Sequence, residues 1–100
     1  MTEPATDATA SSFVPVPAAH VSAEPFDGET VLYDTIGFRP VLLNVSAAAV
    51  WAAIDGRRTV AEIALRVASQ FGAEPAVVLA DVSATVDHFG RLGLLTIPPP

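Results

Sequence analysis

The sequence predicts an α+β domain in which a small three-stranded antiparallel sheet is followed by three helices. Three observations carry this prediction. Short β-rich runs separated by turn residues occupy residues 19–43, apolar residues recur at helical spacing from Val50 to Phe89, and glycines at 56, 72 and 93 close the helical runs. The centre of the pattern is Leu42 to Ile63, which reads as strand, capped helix, glycine stop, arginine turn and second capped helix. That is a helix-turn-helix core entered from a β-strand.

Residues 1–18 are rich in Ala, Thr, Pro and Ser, with Glu3 and Asp7 the only charges. Such a segment has little to bury, and Pro15 and Pro17 resist regular pairing, so it reads as a flexible arm preceding a domain at 19–97. Phe13-Val14 is its one candidate anchor. A first strand is expected within 19–26, closed by Pro25 and the Asp27-Gly28 turn. Thr30 to Tyr33 forms the second strand, and Phe38 to Leu43 the third. Proline in a strand belongs on an edge or at its first position, so Pro40 predicts that the third strand has one unpaired side.

The first helix is expected from Ser46 to Asp55, with Ser46 as candidate N-cap and Asn44 as competitor. Gly56 supplies the left-handed stop. The second starts at Thr59, whose spacing to Glu62 is that of a capping box. It buries Val60, Ile63, Ala64, Val67 and Phe71 before ending at Gly72. The third begins near Glu74, with Pro75 at a tolerated first-turn position and Val78, Val82, Val86 and Phe89 as its core stripe. Leu94-Leu95 then fold back on the core, and Pro98-Pro99-Pro100 form a frayed end. A second stripe on the third helix, Val77, Asp81, Ala84 and His88, is either the ordinary flank of an amphipathic helix or one wall of a groove beside the open strand.

Composition excludes several trades. A hydrophobic content of 51% supplies a core, and the absence of cysteine removes disulfides, thiolate nucleophiles and thiolate-bound zinc. No apolar run is long enough to span a bilayer and no secretory signal is visible, so the cytoplasm is the expected compartment, without membrane contact. The chain has no lysine; its basic residues are Arg39, Arg57, Arg58, Arg66 and Arg91, against eleven carboxylates and a net charge of −6. Duplex binders gain affinity by neutralising phosphates with clustered cations, so nucleic acid is not an expected partner. His20 and His88 lie on different elements without a local motif, no glycine-rich phosphate loop is present, and adjacent Asp87 and His88 diverge on a helix. No catalytic residue, metal ligand or cofactor is expected. A carrier role would need a serine at a helix start, whereas Asp81-Val82-Ser83-Ala84 falls in mid-helix.

The ordered series Leu43-Asn44, Val50-Trp51, Asp55-Gly56, Thr59 to Ile63, Phe71-Gly72, Asp81-Val82 and Leu92-Gly93-Leu94-Leu95 resembles the PqqD family over residues 28–95. These are small peptide chaperones of pyrroloquinoline quinone synthesis. Their relatives are recognition elements in pathways that make modified peptides from ribosomal precursors. The resemblance implies a winged helix-turn-helix that does not bind DNA. In it, the leader of a precursor peptide adds as a strand to the open third strand, packs against the third helix, and is delivered to a maturation enzyme such as a radical SAM protein or a leader peptidase. Strand addition of this kind draws affinity from backbone hydrogen bonds and specificity from alternate side-chain pockets. On this sequence the implied peptide-binding residues are Phe38, Arg39, Val41 and Leu43 on the strand, and Val77, Asp81, Ala84, Thr85 and His88 on the helix. Arg39 is placed to meet an acidic leader side chain, or else is a solvated edge charge that blocks aggregation. The competing readings are a winged-helix DNA regulator, with Arg57 and Arg58 near phosphates, and a non-catalytic subunit of a larger enzyme.

Overall fold

The computed structural model describes residues 11–36 and 39–96. Five strands and three helices follow in the order β1 (Val16–Pro17), β2 (Val21–Phe26), β3 (Glu29–Asp34), β4 (Arg39–Leu43), α1 (Val45–Ala53), α2 (Val60–Phe71), α3 (Pro75–Arg91) and β5 (Leu95–Thr96). The expected architecture is present: an antiparallel sheet in the order β2-β3-β4, then three helices. β2 and β3 are joined by Asp27-Gly28 with φ of 54° and 82°, the two left-handed residues that a tight hairpin matching the strand twist requires.

The ladder has a definite phase. The Thr35 N–H donates to the His20 carbonyl at 2.9 Å, so odd-numbered residues of β3 bond to β2 and even-numbered ones to β4. In that phase Pro25, opposite Thr30, and Pro40, opposite Tyr33, both turn their nitrogens away from β3. Neither proline then costs the sheet a ladder bond. Buried Asp34 closes the end of β3 by accepting the Ile36 N–H at 2.9 Å, and His20 Nε2 lies 3.6 Å from the same carboxylate oxygen.

Each helix start is built from side chains near it in sequence. Asn44, not Ser46, caps α1: its Oδ1 accepts the Ala47 N–H at 2.8 Å, and Val45 is already helical. At α2 the box is complete, with Thr59 Oγ1 accepting from Glu62 N–H at 3.1 Å and Glu62 Oε1 accepting from Thr59 N–H at 2.7 Å. Gly72 ends α2 at φ 67°, and the chain bends by 118° into α3, within the usual range for a helix-turn-helix. Leu32, Leu43, Val50, Ile63, Val67, Val82, Val86, Phe89 and Leu94 form the core between sheet and helices. Trp51 meets Phe89 edge to face, with centroids 5.3 Å apart, fixing α1 against α3.

The arm expected over residues 1–18 needs correction. Residues 1–10, like Ile97 to Pro100, lie outside the described residues, but 11–18 are built into the domain. The Phe13 carbonyl accepts the Val60 N–H at 2.9 Å and the Ser11 carbonyl accepts the Ala61 N–H at 3.0 Å. With Thr59 Oγ1 on Glu62, every N–H of the first turn of α2 has a partner. Pro15 is fully buried, Phe13 packs on the core, and β1 pairs with β5, Val16 opposite Thr96 and Pro17 opposite Leu95. The prolines do not prevent this, because a two-residue ladder needs few donors.

Candidate peptide-binding site

The candidate site draws on β4, the start of α1 and the middle of α3. β4 is an edge strand, paired with β3 on one side and unpaired on the other among the described residues. The ladder phase turns the Pro40 carbonyl and both the N–H and the carbonyl of Leu42 to that free side, while Val41 and Leu43 spend their backbone groups on Leu32 and Thr30. Pro40 therefore interrupts the row of donors, and Leu42 supplies the N–H that remains. β4 then turns through Asn44 into α1, whose first residues, Val45 (69% exposed) and Ser46, lead from the open edge to a cleft.

The cleft has a volume of about 360 Å³. Ser46 and Val50 of α1, Val67 and Phe71 of α2, and Val78, Asp81, Val82, Ala84 and Thr85 of α3 line it. Its floor is apolar, and Asp81 is its single charged residue. The Thr85 hydroxyl donates back to the Asp81 carbonyl at 2.8 Å, one helical turn earlier. A second groove, about 440 Å³, lies between α1 and α2 around Ala52, Leu65 and Gln70 and shares none of the third helix.

The expected site residues separate in this geometry. Asp81, Ala84 and Thr85 meet in the cleft. Val77 and His88 lie on the same stripe of α3 and are exposed, Val77 by 70%, but they flank the cleft, which Val78 lines instead. On β4, Arg39 is placed by its backbone, opposite Asp34, and Phe38 lies outside the described residues. Val41 is half-buried against the core. Leu43 requires correction: at 3% exposure its side chain is core, and its backbone faces β3, so it offers nothing to an added strand. The residue missed at this edge is Leu42, 61% exposed, which presents both backbone groups. Phe71 was expected in the core and is 45% exposed. Its helical phase is that of the core stripe, but it is the last residue of α2, where covering elements run out, and it becomes a cleft wall.

The arginine turn is occupied by local bonds. Asp55 Oδ1 accepts the N–H groups of Arg57 and Arg58, both at 2.9 Å. Arg58 Nη1 donates to the Ala53 carbonyl at 3.1 Å and sits 3.4 Å from Asp55 Oδ2. That guanidinium caps the end of α1 and is not aimed at a ligand. Among the described residues no group of His, Asp or Glu is arranged to hold a metal, and no single helix is long and apolar enough to cross a membrane.

Comparison with known proteins identifies the family and the fold. The family model for coenzyme PQQ synthesis protein D (PqqD) matches residues 29–95. The chain belongs to the PqqD family. Among solved structures, the PqqD truncation of Methylobacterium extorquens PqqCD, a functional stand-alone recognition element for ribosomally synthesised and post-translationally modified peptides, superposes with a TM-score of 0.77 at 27% identity. The match covers 91% of this chain and 97% of that one. TbiB1 in complex with the TbiA(beta) leader peptide (TM-score 0.73, 15% identity, 85% and 99% coverage) has the same fold. So does lasso peptide synthetase B1 complexed with its leader peptide (TM-score 0.73, 20% identity, 85% and 100% coverage). No curated protein matched the chain. The PqqD-type fold, a three-stranded sheet followed by a helix-turn-helix, is thus the frame in which the β4 edge and the α3 cleft lie.

Proposed function

We propose that this PqqD-family chain is a recognition element that binds the leader of a ribosomally made precursor peptide and performs no chemistry itself. The peptide adds as a strand to β4, bonding to Leu42 N–H and to the Pro40 and Leu42 carbonyls. Its inward side chains reach the cleft against α3. The bound precursor is presented to a maturation enzyme, such as a radical SAM protein or a leader peptidase, in the cytoplasm where ribosomal precursors are made. The observation that carries this reading is the open β4 edge followed, three residues after Leu43, by Ser46 in the lining of an apolar cleft against α3. Family membership supports it, as does the stand-alone recognition role of the Methylobacterium relative.

Titrating the cognate leader into isotopically labelled protein tests the reading. Backbone shifts are expected at β4, at the start of α1 and along α3. Shifts confined to β1, β5 and the α1–α2 turn would overturn the site. Ala84→Arg, on an exposed helical position, should weaken binding while leaving the unfolding midpoint in place.

A further inference from the structure

The polar side chains of the cleft have already used their protons. The Thr85 hydroxyl donates to the Asp81 carbonyl, leaving only its lone pairs for a ligand. The Ser46 hydroxyl is directed at Asn44 Oδ1, 3.4 Å away. The Asp81 carboxylate, exposed at the rim, has neither a hydrogen bond nor an ion pair among the described residues. Among the described residues no arginine lines the cleft, and Arg91 and Arg58 pair elsewhere, with Asp87 at 2.7 Å and Asp55 at 3.4 Å. The remaining lining is Val50, Val67, Phe71, Val78, Val82 and Ala84. The cleft therefore offers acceptors and apolar surface, and no described side chain lining it is a free donor. A ligand complementary to it brings N–H donors and positive charge.

Resting on the leader-binding reading above, we infer that the cleft selects a peptide segment in which an arginine or lysine neighbours an apolar side chain. The cation sits against the Asp81 carboxylate and within reach of the Thr85 oxygen. Its aliphatic stem lies along Ala84 and Val78, as long cationic side chains do on apolar surface. The apolar neighbour fills the floor against Phe71 and Val67. A net charge of −6 draws such a segment toward the protein and disfavours acidic competitors. Asp81 is then a specificity-determining residue, and the α3 stripe recognises sign as well as shape.

A phage library of random 15-residue peptides, selected on the full-length chain and on Asp81→Asn, tests this without knowledge of the natural leader. Wild-type selections are expected to enrich Arg or Lys at one fixed position beside an apolar residue, and Asp81→Asn selections to lose that preference. A synthetic peptide of the enriched sequence should bind Asp81→Asn roughly fivefold more weakly at low salt, the upper range for an exposed ion pair. Asp81→Arg paired with a peptide whose cation is replaced by Glu should restore affinity, which a merely structural role for Asp81 would not produce. Enriched peptides that lack a cationic position, or that bind wild type and Asp81→Asn alike, overturn the charge assignment and leave the groove standing. If no peptide enriches, or if enriched peptides leave β4 and α3 amides unshifted, the leader-binding reading fails and this inference fails with it.

Discussion

Residues 11–15 cap α2 and close the core from outside the family-matched region, and their removal should cost much of the domain's stability. Two backbone hydrogen bonds are lost, Phe13 to Val60 and Ser11 to Ala61, at about 1 kcal/mol each. Exposing the surface covered by buried Pro15 and half-buried Phe13 adds about 2 kcal/mol at roughly 25 cal/mol per Å². The sum, about 4 kcal/mol, is a large share of the 5–15 kcal/mol typical of a domain. At a urea slope of about 1.3 kcal/mol/M it lowers the midpoint by about 3 M. The assay is urea unfolding followed through Trp51, the single tryptophan, whose ring rests on Phe89. Deleting residues 1–10 keeps every contact described and gives the reference midpoint. Deleting 1–15 should produce the shift. Coincident midpoints for the two truncations would refute the integration of this segment.

Other substitutions probe the helix caps, the acid limb and the strand edge. Asn44→Ala should cost about 1 kcal/mol in urea unfolding, whereas Ser46→Ala should cost only a few tenths, because Asn44 alone satisfies an amide of the first turn of α1. The N–H groups of Arg57 and then Arg58 hold the Asp55 carboxyl below its ordinary 3.8. A depressed value in the folded state means stabilisation that is present above pH 3.8 and fades as pH falls through the lower folded value. Asp55→Asn should therefore flatten that part of the acid limb, and urea midpoints collected down to about pH 2 that fall as steeply as in wild type would contradict it. Pro40→Ala should change stability by less than about 0.5 kcal/mol, because the proline nitrogen faces away from β3. It adds an N–H to the open edge, so self-association by size-exclusion chromatography should rise.

Legibility in the sequence followed the distance between partners and the nature of the groups that pair. The Thr59–Glu62 box could be read because both halves are side chains three residues apart. The third-helix stripe could be read because 3.6-residue spacing places Val77, Asp81, Ala84 and His88 on one face. The capping of α2 by Ser11 and Phe13 could not, since every residue carries the carbonyl that does it. The β1–β5 pairing joins Val16 to Thr96 through backbone groups that leave no side-chain mark. On β4, Pro40-Val41-Leu42-Leu43 is apolar throughout, so no alternation signalled which residues face the core. The one local clue was that an interior proline must point its nitrogen off the ladder, which assigns the free edge to Pro40 and Leu42 rather than to Val41 and Leu43. Phe71 kept the correct helical phase and lost its cover because α2 outruns its neighbours, which periodicity along one helix does not register.

The pairing of β1 with β5 brings the chain's entry to the domain and its departure side by side. Val16 also touches the α1–α2 turn, its methyls 3.8 and 3.9 Å from where a Cβ on Gly56 would stand. The open cleft begins at Ser46, at the other end of α1, roughly 14 Å away for nine residues of helix. β1 and β5 thus sit together on the side of the domain remote from the cleft. In the Methylobacterium relative, the PqqD truncation of PqqCD is functional on its own.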